Sequence, residues 1–260
     1  MSNSNPTDIL NNPLTPQSKR LPLFSRWGVL ALIIAMVTAF FMSQLIGVYV
    51  AGKLLLPAAS TSSVSDILFF GSSNGTVVSV SIFISCLLLT ALSVLIVRLK
   101  GSDVRQYLAF TPFSLAVGLG LFGLLLLFMI GSEALTYLLD KSPLVFIDPL
   151  YESVNSVWLL IVAIVIVAPL YEELVFRGVL WSAIAEQFSE QRGAVIASVV
   201  TSVIFAVIHL QYGLYEISTL VVLALIFCYA RIKSGSLLLP MLLHMINNGA
   251  AMWQYLAQAS

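Results

Sequence analysis

Seven stretches of this chain are apolar for long enough to cross a lipid bilayer: about 27–50, 77–98, 113–139, 156–178, 193–210, 217–232 and 236–257. A spanning helix needs roughly 20 predominantly apolar residues. Inside hydrocarbon every backbone polar group must be satisfied internally, which leaves helices or closed barrels. Runs of this length are far beyond the short alternating segments of a barrel strand. Composition removes the soluble alternative: 59% of residues are hydrophobic and only 9% charged, against about 25% charged in an average soluble domain. The sequence therefore predicts an all-α, polytopic transmembrane helical bundle of about seven spans, with room for one short or re-entrant helix. The fourth run carries an amphipathic extension to about Gln187. Ser114, Gly118, Gly120 and Gly123 in the third are small residues of the kind that let membrane helices approach closely.

Residues 1–25, rich in Asn, Ser and Pro, read as a disordered tail. The first run is too long for a signal-peptide core and has no convincing cleavage site, so it reads as an anchor. Basic residues favour cytoplasmic loops. A cytoplasmic N-terminus puts Lys19, Arg20, Arg26, Arg98, Lys100, Arg105, Arg192, Arg231 and Lys233 inside and leaves Lys53 and Lys141 outside, with Arg177 near a boundary. The formal net charge of zero gives no reason to expect nucleic acid. Cys86 and Cys228 lie inside apolar runs and read as small buried hydrophobes rather than a disulfide or metal clip. The sequon Asn74-Gly75-Thr76 reads as a chance occurrence.

Ionisable residues inside a membrane are costly and mark function by default, and nearly all of them lie in the last hundred residues. The fourth run reads Ala168-Pro169-Leu170-Tyr171-Glu172-Glu173-Leu174-Val175-Phe176-Arg177. Pro169 should kink the helix and free a carbonyl. Glu173 and Arg177 share a face four residues apart and can pair, whereas Glu172 projects about 100° away and stays available. A solvated helix end with a surface ion pair would look the same. Both histidines of the chain fall in apolar helices: His209 one turn after Phe205, and His244 one turn before Asn248. A lone His in such a helix is usually a satisfied core residue. Two of them, with an Asn and a Glu pair, form a constellation. Two His and a carboxylate are a catalytic zinc set, which makes His209 and His244 metal candidates. A second carboxylate can act as general base. His and Asn can instead stabilise an oxyanion. Both routes lead to hydrolysis of an acyl bond. The H-E-x-x-H and G-x-S-x-G signatures are absent from the sequence, and Asp140 and Asp148 sit in a loop, unlike a membrane aspartyl pair.

Glu172-Glu173-x-x-x-Arg177, Phe205-x-x-x-His209 and His244-x-x-x-Asn248 together resemble the three motifs of the CPBP (Abi) family. That family includes the type II CAAX prenyl endopeptidases and bacteriocin-processing or self-immunity proteins. The resemblance spans about residues 155–255. It divides the chain into the tail, N-terminal helices over 26–154 and a catalytic membrane domain over 155–257. It implies an intramembrane endopeptidase acting on a membrane-associated or prenylated protein or peptide, in a bilayer such as the bacterial inner membrane. Carried over, Glu172 would activate water, Glu173 and Arg177 would support it, and His209 would help bind water or zinc. His244 and Asn248 would polarise the scissile carbonyl. A transporter using Glu133, Glu172 and Glu173 as a relay, or an idle immunity or scaffold protein that keeps the fold, are the alternatives. Glu133 itself reads as a helix-end residue or as a cavity wall. One conflict stands: at 1.5 Å per residue, His209 lies about 25 Å into its run and His244 about 12 Å into its own.

Overall fold

In the computed structural model, residues 21–56, 63–141 and 145–259 are described. The chain is 83% helical, without strands among the described residues. The principal helices are α1 (Arg26–Leu55), α2 (Val64–Ser72), α3 (Gly75–Leu99), α4 (Val104–Tyr107), α5 (Leu115–Leu138) and α6 (Asp148–Ser153), followed by α7 (Val157–Ala185), α8 (Glu190–Val207), α9 (Leu214–Ser234) and α10 (Leu238–Ala259). Six of them, α1, α3, α5, α7, α8 and α9, are long and apolar enough to cross a membrane. The seventh run is helix α10, 22 residues long and broken in its hydropathy by His244, Asn247, Asn248, Gln254 and Gln258. Of the expected tail, residues 1–20 lie outside the described residues; Ser25 accepts from Gly28 N–H and caps α1.

α7 is the hub. In its most apolar window 61% of residues are buried, against 11% for α5. The main core joins Met36 and Phe40 of α1, Leu89 of α3, Phe176 and Leu180 of α7, Phe205 of α8 and Ala224 of α9. The core therefore crosses from the N-terminal helices into the C-terminal half. α5 stands on the flank and meets α9 and α10 through Leu121, Leu125, Leu223, Phe227 and Leu243. The small residues of α5 divide: Gly118 is buried, and a Cβ there would lie 3.9 Å from Leu239 of α10. A side chain added at Gly120 or Gly123 would meet nothing within 4 Å, so these glycines face outward. Close approach occurs between α1 and α3 instead, where a Cβ on Gly47 would lie 2.8 Å from the Ser81 carbonyl oxygen.

Local chemistry sets the helix ends. Asn74, the residue of the sequon, accepts from Val77 N–H and caps α3. The fifth run stops earlier than expected because His209 competes with its own helix. Its Nδ1–H donates to Phe205 O at 2.7 Å, and its backbone N–H turns to Ala206 O. His209 thus sits in the turn after α8. Gly235, at φ 63°, closes α9 in the left-handed conformation that glycine adopts without strain. Thr111 Oγ1–H donates to Gly235 O and Leu237 N–H to Ala109 O. These bonds fix where α10 begins and so the depth of His244.

The tight α1–α3 contact gives a test. Gly47→Leu should lower the unfolding temperature of the purified protein by several degrees, because it forces apart backbones that nothing flexible separates. Gly120→Ala, which faces open space, should leave it unchanged or slightly raised.

Candidate active site

The site grows from an irregularity in α7. Two wide π-helical stretches, Val162–Val167 and Leu174–Leu180, flank the short α-helical segment that carries Glu172 and Glu173. π-turns are rare and gather at functional positions. Ala168 N–H reaches back five residues to Ala163 O. In that register the next donor would be residue 169 and its acceptor Ile164 O, but Pro169 has no N–H. The orphaned carbonyl of Ile164 accepts instead from Asn248 Nδ2 on α10, at 3.0 Å. The freed carbonyl foreseen from Pro169 is therefore the bolt that joins α10 to α7.

One turn further on, Glu173 and Arg177 are both 0% exposed. Arg177 Nη1–H donates to Glu173 Oε1 at 2.9 Å, and Nη2–H donates to Ala224 O on α9 at 3.2 Å. Its guanidinium lies 4.6 Å from the Phe205 ring centre and 5.5 Å from that of Phe227, so cation–π attraction replaces part of its lost hydration. His244 Nδ1–H donates to the same Glu173 Oε1 at 2.9 Å, which makes this oxygen the meeting point of α7 and α10. The bond fixes the tautomer and leaves His244 Nε2 pointing at Glu172 Oε2, 3.7 Å away. That gap is too long for a direct hydrogen bond and lets both atoms address one water. Phe227 stacks on the imidazole at 4.9 Å.

The remaining residues join at one remove. Phe205 packs against His209 at 4.8 Å and against His244 at 5.8 Å, so a single phenyl ring spans the two imidazoles. His209 follows the start of α8 at Glu190 by far more residues than His244 follows the start of α10 at Leu238, so their meeting on one ring means that the two helices begin at different depths. His209 uses Nδ1 on Phe205 O, and Tyr212 stacks over it at 6.2 Å. Asn248 contacts Ile164 O rather than either histidine, and its Oδ1 accepts from Asn247 Nδ2 at 3.4 Å. Asn247 belongs to the wall of a cavity of about 1070 Å³ between α5, α9 and α10. Glu133 lines that cavity, with its Oε1 accepting from Gln254 Nε2 at 2.6 Å. Sequence reasoning missed Phe227, Ala224 O and Tyr212. The first two lie in an unremarked apolar helix; Tyr212 carried a faint signal three residues after His209.

The donor set can be tested against a metal. Glu172 Oε2 and His244 Nε2 approach each other, but among the described residues no three His, Cys, Asp or Glu side chains converge to hold a metal ion. Catalytic zinc takes three protein ligands, so the arrangement does not fit one.

The buried pair yields a stability prediction. Arg177→Ala would leave Glu173 charged, buried and short of a partner, which costs about 3–5 kcal/mol. Loss of yield and a large fall in unfolding temperature are expected. Arg177→Lys should rescue little, because a point charge cannot reach Glu173 and Ala224 O together. A stable, well-folded Arg177→Ala protein would show that the pair is not structural.

Comparison with known proteins finds a family match for one segment of the chain. Residues 154–250 match the type II CAAX prenyl endopeptidase Rce1-like family, so the resemblance seen in the three motifs holds for that segment. An Escherichia coli protein described as an uncharacterized 24.3 kDa protein is 38% identical over 95 residues, 36% of this chain and 43% of that one. The chain thus spans under half the length of this relative. No solved structure matches the chain at a significant level.

Proposed function

We propose that this chain is an intramembrane endopeptidase that hydrolyses a peptide bond of a membrane-associated or prenylated protein, using water activated by Glu172. The observation that carries this reading is the division of labour between adjacent carboxylates. Glu173 Oε1 is held by both Arg177 and His244, while the Glu172 side chain keeps 11% exposure and faces His244 Nε2 across 3.7 Å. The Rce1-like match over residues 154–250 supports the same reaction class.

In the proposed reaction a water between Glu172 and His244 gives one proton to the Glu172 carboxylate as its oxygen attacks the scissile carbonyl. His244 Nε2, the unprotonated nitrogen of its tautomer, accepts the water's other hydrogen, and the oxyanion receives a hydrogen bond from the Asn248 N–H not engaged with Ile164 O. Glu172 then returns the proton to the leaving amine as the C–N bond breaks. Glu173 and Arg177 act by position, holding His244 in one tautomer. Asn247, next in sequence to Asn248, lines the large cavity, which supports the cavity as the substrate's approach. The bilayer it opens to would be the bacterial inner membrane, with the N-terminus cytoplasmic. Reporter fusions at Ser102 and Ser234 should both report cytoplasm, and an external signal at either would reverse the orientation.

Glu172→Gln keeps size and much of the hydrogen bonding but removes the base. Turnover should vanish while the unfolding temperature stays near wild type, and comparison of the two proteomes should reveal the missing fragment. An active Glu172→Gln protein, free of contaminating protease, would sink the assignment. Asn248→Ala should slow the reaction by about 10²–10³ and also destabilise the fold, since Ile164 O loses its donor. Purified active enzyme should resist chelators. Stoichiometric zinc, lost on changing either His209 or His244, would replace the glutamate-only route with the metal route. A protein that shows no proteolysis in any host, yet protects cells equally as wild type and as Glu172→Gln, would be the idle immunity form.

A further inference from the structure

The cavity of about 1070 Å³ has two sides of different chemistry. Asn247, Ala250, Ala251, Gln254 and Gln258 of α10 line one side, at the i, i+3, i+4, i+7, i+11 spacing of a single helix face. Leu126, Met129 and Ile130 of α5 and Leu223 of α9 line the other. Side-chain amides both donate and accept hydrogen bonds, as the N–H and C=O groups of an extended peptide do. The two alanines between the amides leave room for a backbone to lie along α10. A hydrocarbon chain offers those amides no partner.

A carboxylate stands further along that face. Glu133, in the last turns of α5, is exposed and lines the cavity. Its Oε1 accepts from Gln254 Nε2 at 2.6 Å, which ties the carboxylate to the amide face of α10. No basic side chain pairs with Glu133 among the described residues. Lys141 lines the same cavity but forms no ion pair with it there. Asp148, the other acid in the lining, already accepts from the Tyr255 hydroxyl through Oδ1 at 2.9 Å. An ionisable group in a spanning helix is costly and marks function, and the partner that a carboxylate lacks in an apolar-walled cavity is a cation. Gln254 follows Asn247 by seven residues, two turns along the same face, so its bond to Glu133 lies about 10 Å along α10 from Asn247. Asn248, the proposed oxyanion donor, is next in sequence to Asn247. An extended peptide covers such a span in about three residues.

We propose, on the endopeptidase reading above, that the substrate lies as an extended peptide on the amide face of α10, and that Glu133 binds the side-chain cation of a Lys or Arg about three residues from the scissile bond. Gln254 aims the carboxylate. The apolar side of the cavity strengthens the ion pair by excluding water.

The test uses the full chain in nanodiscs and a proteome-derived peptide library that keeps internal Lys, Arg, Asp and Glu, presented with and without a farnesyl thioether on an added cysteine. Cleaved bonds are mapped by mass spectrometry. Wild type should favour Lys or Arg over Asp or Glu about tenfold at one position about three residues from the cut, the worth of one charge-assisted contact. Glu133→Gln keeps the size of the side chain and an acceptor for Gln254 Nε2, so it should fold and lose that preference. Glu133→Lys should reverse it toward Asp and Glu, which a merely structural role for Glu133 would not produce. Cleavage that disappears in Glu172→Gln but shows no basic preference in wild type, or the same preference in Glu133→Gln, would overturn the subsite and leave the endopeptidase standing. A preference kept in Glu133→Gln and lost in Asp148→Asn would overturn the assignment to Glu133. Identical peptide patterns from wild type and Glu172→Gln would overturn the endopeptidase reading and the subsite with it.

Discussion

The arrangement depends on one buried charge pair. Arg177 has no exposure to solvent and sits in a helix that crosses a low-dielectric layer. It persists there because Glu173, Ala224 O and two aromatic faces surround it. Those four partners come from three helices: α7 itself, α8 and, twice, α9. A charge that must be satisfied on several sides dictates which helices meet and at what depth. Because Glu173 also receives His244 Nδ1–H, the same pair sets the height of α10 and the tautomer of its imidazole. Stability and the proposed reactivity are therefore coupled at one oxygen atom, Glu173 Oε1.

The second constraint is backbone. Pro169 cannot donate, and the wide turns before and after the glutamates loosen the regular ladder. In water a spare carbonyl would be solvated cheaply. Inside a membrane it needs a protein donor, and Asn248 provides it. The polar residues of α10 are thus explained in part by what α7 lacks. α10 could not be a uniformly apolar span and still close the bundle, which accounts for its low hydropathy beside six conventional spans.

Much of this was legible in the residues. Apolar run lengths located the helices to within a few positions, and the i,i+4 spacing paired Glu173 with Arg177. The kink residue and the adjacent free glutamate were visible as well. Less was legible where a side chain's partner lay on another helix. The Gly residues of α5 looked like packing surface, yet Gly120 and Gly123 face open space while Gly47 of α1 makes the close approach. Helix–helix pairing is not encoded in one run's composition. The end of α8 was also misjudged, because the competition of His209 Nδ1–H for Phe205 O is a side-chain event that hydropathy does not register.

The sequence by itself determined that the chain is a bundle of membrane helices and which few polar residues are expensive enough to matter. Both follow from local quantities: run length against bilayer thickness, and the cost of charge in hydrocarbon. Only the tertiary structure decided that His244 joins Arg177 on Glu173 Oε1, and that Asn248 anchors the Ile164 carbonyl. These depend on distances between residues far apart in the chain, such as Glu173 and His244, and no periodicity within a single helix contains them.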